Sequence, residues 1–221
     1  MELDEFTSSN APDAGGEGFQ LENSKLLDIA VDGSVMTKAG SMVAYTGDLT
    51  FTGKASAEGG IKGFLKEKVT SEGTPIMEAE GSGHLYVADQ GKRIQVLDLD
   101  EGEDVSVNGE DVLAFESTVD YSIGTIGSLS GAAAGGLTNV YLEGPGRAAV
   151  TTHGEPLVLT PPVKTDPSAT VAWSGHLSPS IETNKAIEIG QTSGERYQME
   201  FTGSEGFVVV QPYEEITPAQ Q

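Results

Sequence analysis

Two short signatures recur in the same order three times along this chain. Recurrence of that kind constrains the fold more than any single residue, because each copy has to build the same local structure. The first signature is an aliphatic residue, Ala, an aromatic residue and, five positions after the Ala, a second aliphatic. It reads Met42-Val43-Ala44-Tyr45 with Leu49, Val112-Leu113-Ala114-Phe115 with Val119, and Thr170-Val171-Ala172-Trp173 with Leu177. The second signature ends an alternating run in a pair of glycines: Glu78-Ala79-Glu80-Gly81-Ser82-Gly83, Tyr141-Leu142-Glu143-Gly144-Pro145-Gly146 and, one residue longer, Glu200 to Gly206. A valine follows the second glycine at the same offset each time, as Val87, Val150 and Val210.

The unit reads as β-structure. Met199 and Phe201 alternate with Gln198, Glu200 and Thr202, and Val140 and Leu142 alternate with Tyr141 and Glu143, so one face of each run can be buried and the other wetted. The glycine pairs predict turns through positive φ, and Val31-Asp32-Gly33-Ser34 and Val107-Asn108-Gly109-Glu110 predict two-residue hairpin turns. Pro145, Pro156, Pro161, Pro162 and Pro167 argue against long helices in the second half, and Ile61 to Thr70 is the best, though weak, helical segment. The expectation is an all-β chain. Residues 1–18 would form a flexible acidic leader, residues 19–213 one compact domain of three repeats (about 19–83, 84–146 and 147–213), and residues 214–221 a short tail. Copies this small have few apolar residues for their surface and must lean on one another to make a core.

Charge narrows the partners. With 12 Lys and Arg against 34 Asp and Glu the net charge is −22, which repels phosphate backbones and anionic bilayers. Nucleic-acid binding and membrane contact are therefore disfavoured. Lys62 to Lys68, the richest basic stretch, holds only three lysines. Such a carboxylate surplus suits molar salt, where screening removes self-repulsion, and predicts a haloarchaeal or other halophilic prokaryotic source. The absence of cysteine removes disulfides, thiolate zinc sites and thiol catalysis. The N-terminal stretch has neither the basic start nor the apolar run of a signal peptide, which predicts a cytoplasmic protein. The uncharged run Ser122 to Leu142 is too rich in Gly, Ser and Thr for a spanning helix and reads as a Gly-rich loop.

No catalytic constellation emerges. Gly144-Pro145-Gly146-Arg147-Ala148-Ala149 fits the loose dinucleotide fingerprint, but Val150-Thr151-Thr152 behind it reads as a strand where that site needs a helix. Asp98, Asp100, Glu101, Glu103 and Asp104 suggest calcium, yet a loop begun at Asp98 carries Glu103 where the turn needs Gly. His84, His153 and His176 lack the spacing of a local metal clasp. Gly127-Ser128-Leu129-Ser130-Gly131 places Leu129 where a hydrolase nucleophile belongs. Tyr45, Phe115 and Trp173 could form a ligand platform, but an aromatic after a small Ala reads first as core. The sequence therefore predicts no catalytic, metal or cofactor residues and no cofactor.

The stretches MVAYTGDLTF, DVLAFESTVDYSI, GLTNVYLEGPGRAAV and EGFVVVQPY, in that order, resemble the altered inheritance of mitochondria protein 24 family over about residues 18 to 213. That resemblance implies a fold similar to the tryptophan RNA-binding attenuator protein, whose short jelly-roll or double-stranded β-helix units associate side by side. Mitochondrial members of the family look like inner-membrane organisation factors. The attenuator's tryptophan pocket and RNA-contacting lysines have no counterparts that can be placed on this sequence. The expectation is thus a non-enzymatic, homo-oligomeric β-repeat scaffold, with a small-molecule or ion-binding module, its site between repeats, as the rival.

Overall fold

The computed structural model describes residues 1–13, 16–54, 76–126, 137–183 and 197–214. Across them the chain is β-structure apart from α1 (Leu3–Ser9), a helix of about two turns with no buried residue inside the stretch expected to be a flexible acidic leader. The expected helical segment Ile61 to Thr70 and the pseudo-elbow at residues 127–131 lie outside the described residues.

Three long strands come first. β2 (Leu26–Lys38), β3 (Met42–Lys54) and β4 (Ile76–Val87) form an antiparallel sheet with β4 in the centre, and β1 (Phe19–Asn23) pairs with the start of β2. The same pairing then recurs in shorter pieces. β10 (Gly146–Thr152) lies between β5 (Arg93–Leu99) and β7 (Val112–Glu116), while β9 (Leu137–Glu143) lies between β6 (Asp104–Asn108) and β8 (Asp120–Ile126). Once more, β16 (Val208–Val210) separates β11 (Leu157–Leu159) from β13 (Thr170–Ser174), and β15 (Tyr197–Phe201) separates β12 (Val163–Thr165) from β14 (Ser180–Thr183).

These strands make three sheets. The seven-stranded one runs β3-β4-β2-β7-β10-β5 with β1 on β2, the six-stranded one runs β11-β16-β13-β6-β9-β8, and the last holds only β12-β15-β14. Three clusters of buried side chains make up the core. One gathers Leu27, Ile29 and Leu85, the next Val107, Phe115 and Leu142, and the smallest Trp173, Met199 and Phe201. The alternation read from the sequence is real: Val140 and Leu142, and Met199 and Phe201, point inward while their neighbours stay wetter.

The two signatures are partners in this architecture. Ala44 pairs with Tyr86, Ala114 with Ala149, and Ala172 with Val209, so the first signature always lies beside the valine-bearing strand of the second. In all three places the residue just before the Ala (Val43, Leu113, Val171) is skipped by the ladder, which is the signature of a β-bulge. The same closing hydrogen bond follows each time: the amides of Ala88, Thr151 and Gln211 donate to the carbonyls of Ser41, Asp111 and Ala169 at 2.9, 2.8 and 2.9 Å.

Two turn expectations fail. Asp32-Gly33 is no hairpin: β2 runs straight through it, and Gly33 pairs with Gly81 of β4, because the long-range partner offers a full ladder that a local two-residue turn would forfeit. Asn108-Gly109 does lie between strands, but β6 and β7 belong to different sheets. The Asn108 side chain accepts the Glu110 amide at 3.3 Å, and the Asp111 amide reaches the Asn108 carbonyl at 2.9 Å, making a corner between sheets. The glycine pair also differs between its three occurrences. Gly81 and Gly83, at φ 138° and 156°, sit inside the continuous β4, where a Cβ would strike the Asp48 and Thr46 carbonyl oxygens of β3. Their role there is close approach of two backbones. Gly146, Gly203 and Gly206 instead mark breaks between strands, as expected.

Candidate functional site

Among the described residues, the densest grouping of ionic side chains stands where β2, the β4–β5 connection and the β6–β7 corner meet. Lys38 Nζ lies 3.1 Å from Asp89 Oδ2 and donates to the Glu110 carbonyl at 2.7 Å; Lys92 Nζ lies 2.9 Å from Asp111 Oδ1 and 3.9 Å from Asp89 Oδ2. Asp89, Lys92 and Asp111 are all buried. Around them Thr151 Oγ1 donates to the Asp111 carbonyl, and Thr37 Oγ1 donates to the Leu113 carbonyl at 3.0 Å. Buried ions are costly unless paired and hydrogen-bonded, and here each ammonium meets both a carboxylate and a carbonyl. The arrangement ties β2 to the β6–β7 corner. It is a fastening between strands, and its residues were not singled out in the sequence, where Lys38 and Lys92 look like isolated surface lysines. The one available signal was position: Asp111 and Ser41 both stand directly before the first signature.

The equivalent contact between β6 and β13 is neutral. Asn108 Nδ2 donates to the Thr170 carbonyl at 3.3 Å in buried surroundings. Nearby, the Tyr141 hydroxyl donates to Asp104 Oδ2 at 2.7 Å. That hydrogen bond, helped by burial and by the charges of Asp104 and Glu143, pushes the Tyr141 phenol up to about 12.

The acidic loop after Leu97 is a turn between β5 and β6, closed by the Glu103 amide on the Asp100 carbonyl and the Asp100 amide on Glu103 Oε2. Asp104 is spent on Tyr141. Among the described residues no group of three or more His, Asp and Glu side chains converges as metal ligands. The histidines are dispersed: His84 Nδ1 meets Asp28 at 3.0 Å, His153 packs on Tyr213 with ring centres 4.0 Å apart, and His176 lies against Gly206. Burial, then Asp28 and Glu22, raises the Tyr86 phenol beside His84. The residues after the Gly144–Gly146 pair form β10, so no helix N-terminus faces a phosphate there.

An open groove of about 280 Å³ lies along the line where β2 meets β7, with Gly18, Ile29, Asp32, Val35 and Glu116 among its walls. It is at the small end for a ligand site.

The remaining feature is at the sheet edges. β7 is covered on both sides, by β10 and β2, and β13 likewise, by β16 and β6; among the described residues β3, which carries the same signature, has only β4. Consequently Leu113 and Phe115 are 0% exposed, Val171 0% and Trp173 2%, whereas Val43 is 61% and Tyr45 47% exposed. The expectation that Tyr45, Phe115 and Trp173 are all core residues thus holds for two of them. Tyr45 stays outside, its ring edge-on to Phe51 at 5.2 Å, because among the described residues no strand lies along that edge of β3 to cover it.

The family described as Mitochondrial biogenesis AIM24 matches residues 19–213. The chain belongs to the AIM24 family. The crystal structure of a protein from Streptococcus pyogenes has the same fold, with a TM-score of 0.70 at 24% identity, covering 89% of this AIM24-family chain and 92% of that one. No curated protein matches the chain. Among the described residues of this AIM24 protein no helix is long and apolar enough to cross a membrane.

Proposed function

We propose that this AIM24-family protein is a non-enzymatic scaffold that self-assembles through the sides of its β-units, three tandem copies of which make up the chain. One observation carries the reading: the same side-by-side contact is built twice within the chain, in one register. Val35, Met36 and Thr37 oppose Glu116, Phe115 and Ala114, and Val105, Ser106 and Val107 oppose Ser174, Trp173 and Ala172. In each case the position seven before one signature's Ala meets the Ala of the next signature. The copies divide more naturally at residues 88–92 and 153–156 than at Gly83 and Gly146, since β4 runs on past Gly83, and β10, which begins at Gly146, carries the valine that ends the second signature.

The working compartment is the cytoplasm at high salt, consistent with the net charge of −22. Light scattering in molar KCl tests the scaffold, and a strictly monomeric mass across micromolar concentrations overturns it. Full folding in salt-free buffer with no gain from KCl would remove the halophilic part alone. The rival reading, a small-molecule or ion site between copies, is supported by the groove along β2 and β7. Thermal shift against metals and metabolite sets tests it, because a ligand that binds only the folded chain raises its apparent stability by mass action.

A further inference from the structure

We infer that the buried pair Lys92 and Asp111 is a site of self-modification, where the chain joins the two side chains through an isopeptide amide while Asp89 carries the proton. The inference stands apart from assembly, since it concerns one chain alone. Distance is the first support. Lys92 Nζ stands 2.9 Å from Asp111 Oδ1, so the nitrogen already lies beside the carboxyl carbon it would attack. Reacting atoms held within about 3–3.5 Å gain most of what proximity can give.

Burial is the second. The Lys92 side chain is 5% exposed and that of Asp111 0%. Moving one proton from the ammonium to the carboxylate leaves a neutral amine and a carboxylic acid, which spares the interior two charges. Only those neutral forms can condense. The third support is a second buried carboxylate: Asp89 Oδ2 lies 3.9 Å from Lys92 Nζ, and Lys38 Nζ holds the same oxygen at 3.1 Å. Asp89 is thus fixed beside the amine without being its nearest partner, which is the place of a proton carrier. Lys38 is no rival nucleophile, because its ammonium also meets the Glu110 carbonyl at 2.7 Å and the exposed Glu110 carboxylate at 3.5 Å and so keeps its charge.

The reaction balances within the chain. The Lys92 Nζ lone pair adds to Asp111 Cγ, and a proton on the nitrogen passes to Asp89. The bond from Cγ to the carboxyl hydroxyl then breaks, and the departing hydroxide takes the proton from Asp89 and leaves as water. One C–N bond replaces one C–O bond, nothing is oxidised or reduced, and no co-reactant enters. The product closes residues 92–111 into a covalent loop that ties the β4–β5 connection to the β6–β7 corner. Like any cross-link, it restricts the unfolded chain as well as the folded one.

Denaturing mass spectrometry of the full chain, after incubation folded in molar KCl, tests this directly. The expected mass is one water below that of the sequence, and fragmentation of the digested chain should find Lys92 and Asp111 in one branched peptide. Asp111→Asn should lose one ammonia instead, because the same attack then expels the amide nitrogen. Lys92→Arg and Asp89→Asn should keep their full mass while circular dichroism shows them folded. Full mass in the folded, unsubstituted chain after prolonged incubation overturns the inference, whichever variants fold. So does a lost water that persists in Lys92→Arg or maps elsewhere, for example to a succinimide at Asp32-Gly33. Loss from Asp89→Asn at the unsubstituted rate overturns the role given to Asp89.

Discussion

Residues 42–45 and 112–115 have the same pattern, the same bulge and the same closing hydrogen bond, yet one is solvent-exposed and the other sealed. The difference lies in the neighbour: β2 runs alongside β7, and nothing described runs alongside β3. Local sequence therefore sets the backbone path of the signature, while burial is conferred by whichever strand adds to its free edge.

The sharpest way to break this comparison is to truncate the equivalent aromatics. Phe115→Ala and Trp173→Ala are each expected to cost about 3–5 kcal/mol, as buried aromatics do, and Tyr45→Ala under about 1 kcal/mol in the dispersed chain. Denaturant unfolding at fixed high salt reads all three, and a Tyr45 loss as large as that of Phe115 would mean that β3 is already covered.

The two internal contacts offer the next contrast. Asp111→Ala takes from the buried Lys92 ammonium its nearest carboxylate, leaving Asp89 at 3.9 Å, and is expected to cost about 3 kcal/mol. Asn108→Ala removes two neutral hydrogen bonds at the corresponding contact, to the Thr170 carbonyl and from the Glu110 amide, and should cost about 1–2 kcal/mol. Equal losses from urea melts would argue that the charged fastening matters no more than the neutral one.

Charge on the exposed edge separates folding from assembly. Val43→Glu with Tyr45→Glu should leave the unfolding midpoint of dilute protein nearly unchanged and abolish the assembled species in light scattering, whereas Leu113→Glu should prevent folding, since it buries an unpaired carboxylate.

A pH-dependent contrast concerns Tyr141. Its phenol rises from 10 in the unfolded chain to about 12 in the folded one. The neutral form is thus the favoured folded form, so its stabilisation is complete below pH 10 and fades as pH climbs from 10 to 12. Tyr141→Phe should cost about 1–2 kcal/mol at neutral pH and should flatten this loss. Tyrosinate absorbance during alkaline titration follows the same group directly.

The all-β class and the family were legible because glycine pairs, valines and alternation repeat at fixed offsets. The strand alternation around Val140 and Met199 also read true, since period-two burial needs no knowledge of the partner strand. What escaped depends on partners distant in sequence. Asp32-Gly33 has the composition of a turn, and only Gly81, drawn alongside from β4, keeps it in a strand. Lys38, the Asp89–Lys92 turn and Asp111 come from three separate stretches, so their convergence has no local pattern. Tyr45 resembles Phe115 in everything except what lies beside it.

The corner at Asn108–Asp111 sends β5, β7 and β10 into one sheet and β6, β8 and β9 into the next. Residues 93–152 therefore cannot melt without stripping strands from both sheets at once, whereas the stretch from β11 to β16 can peel away from a single seam with β6. Unfolding should accordingly begin at the C-terminal third and be cooperative across the middle, so that amide exchange protects Val107 and Ala149 longer than Val163 and Ile181.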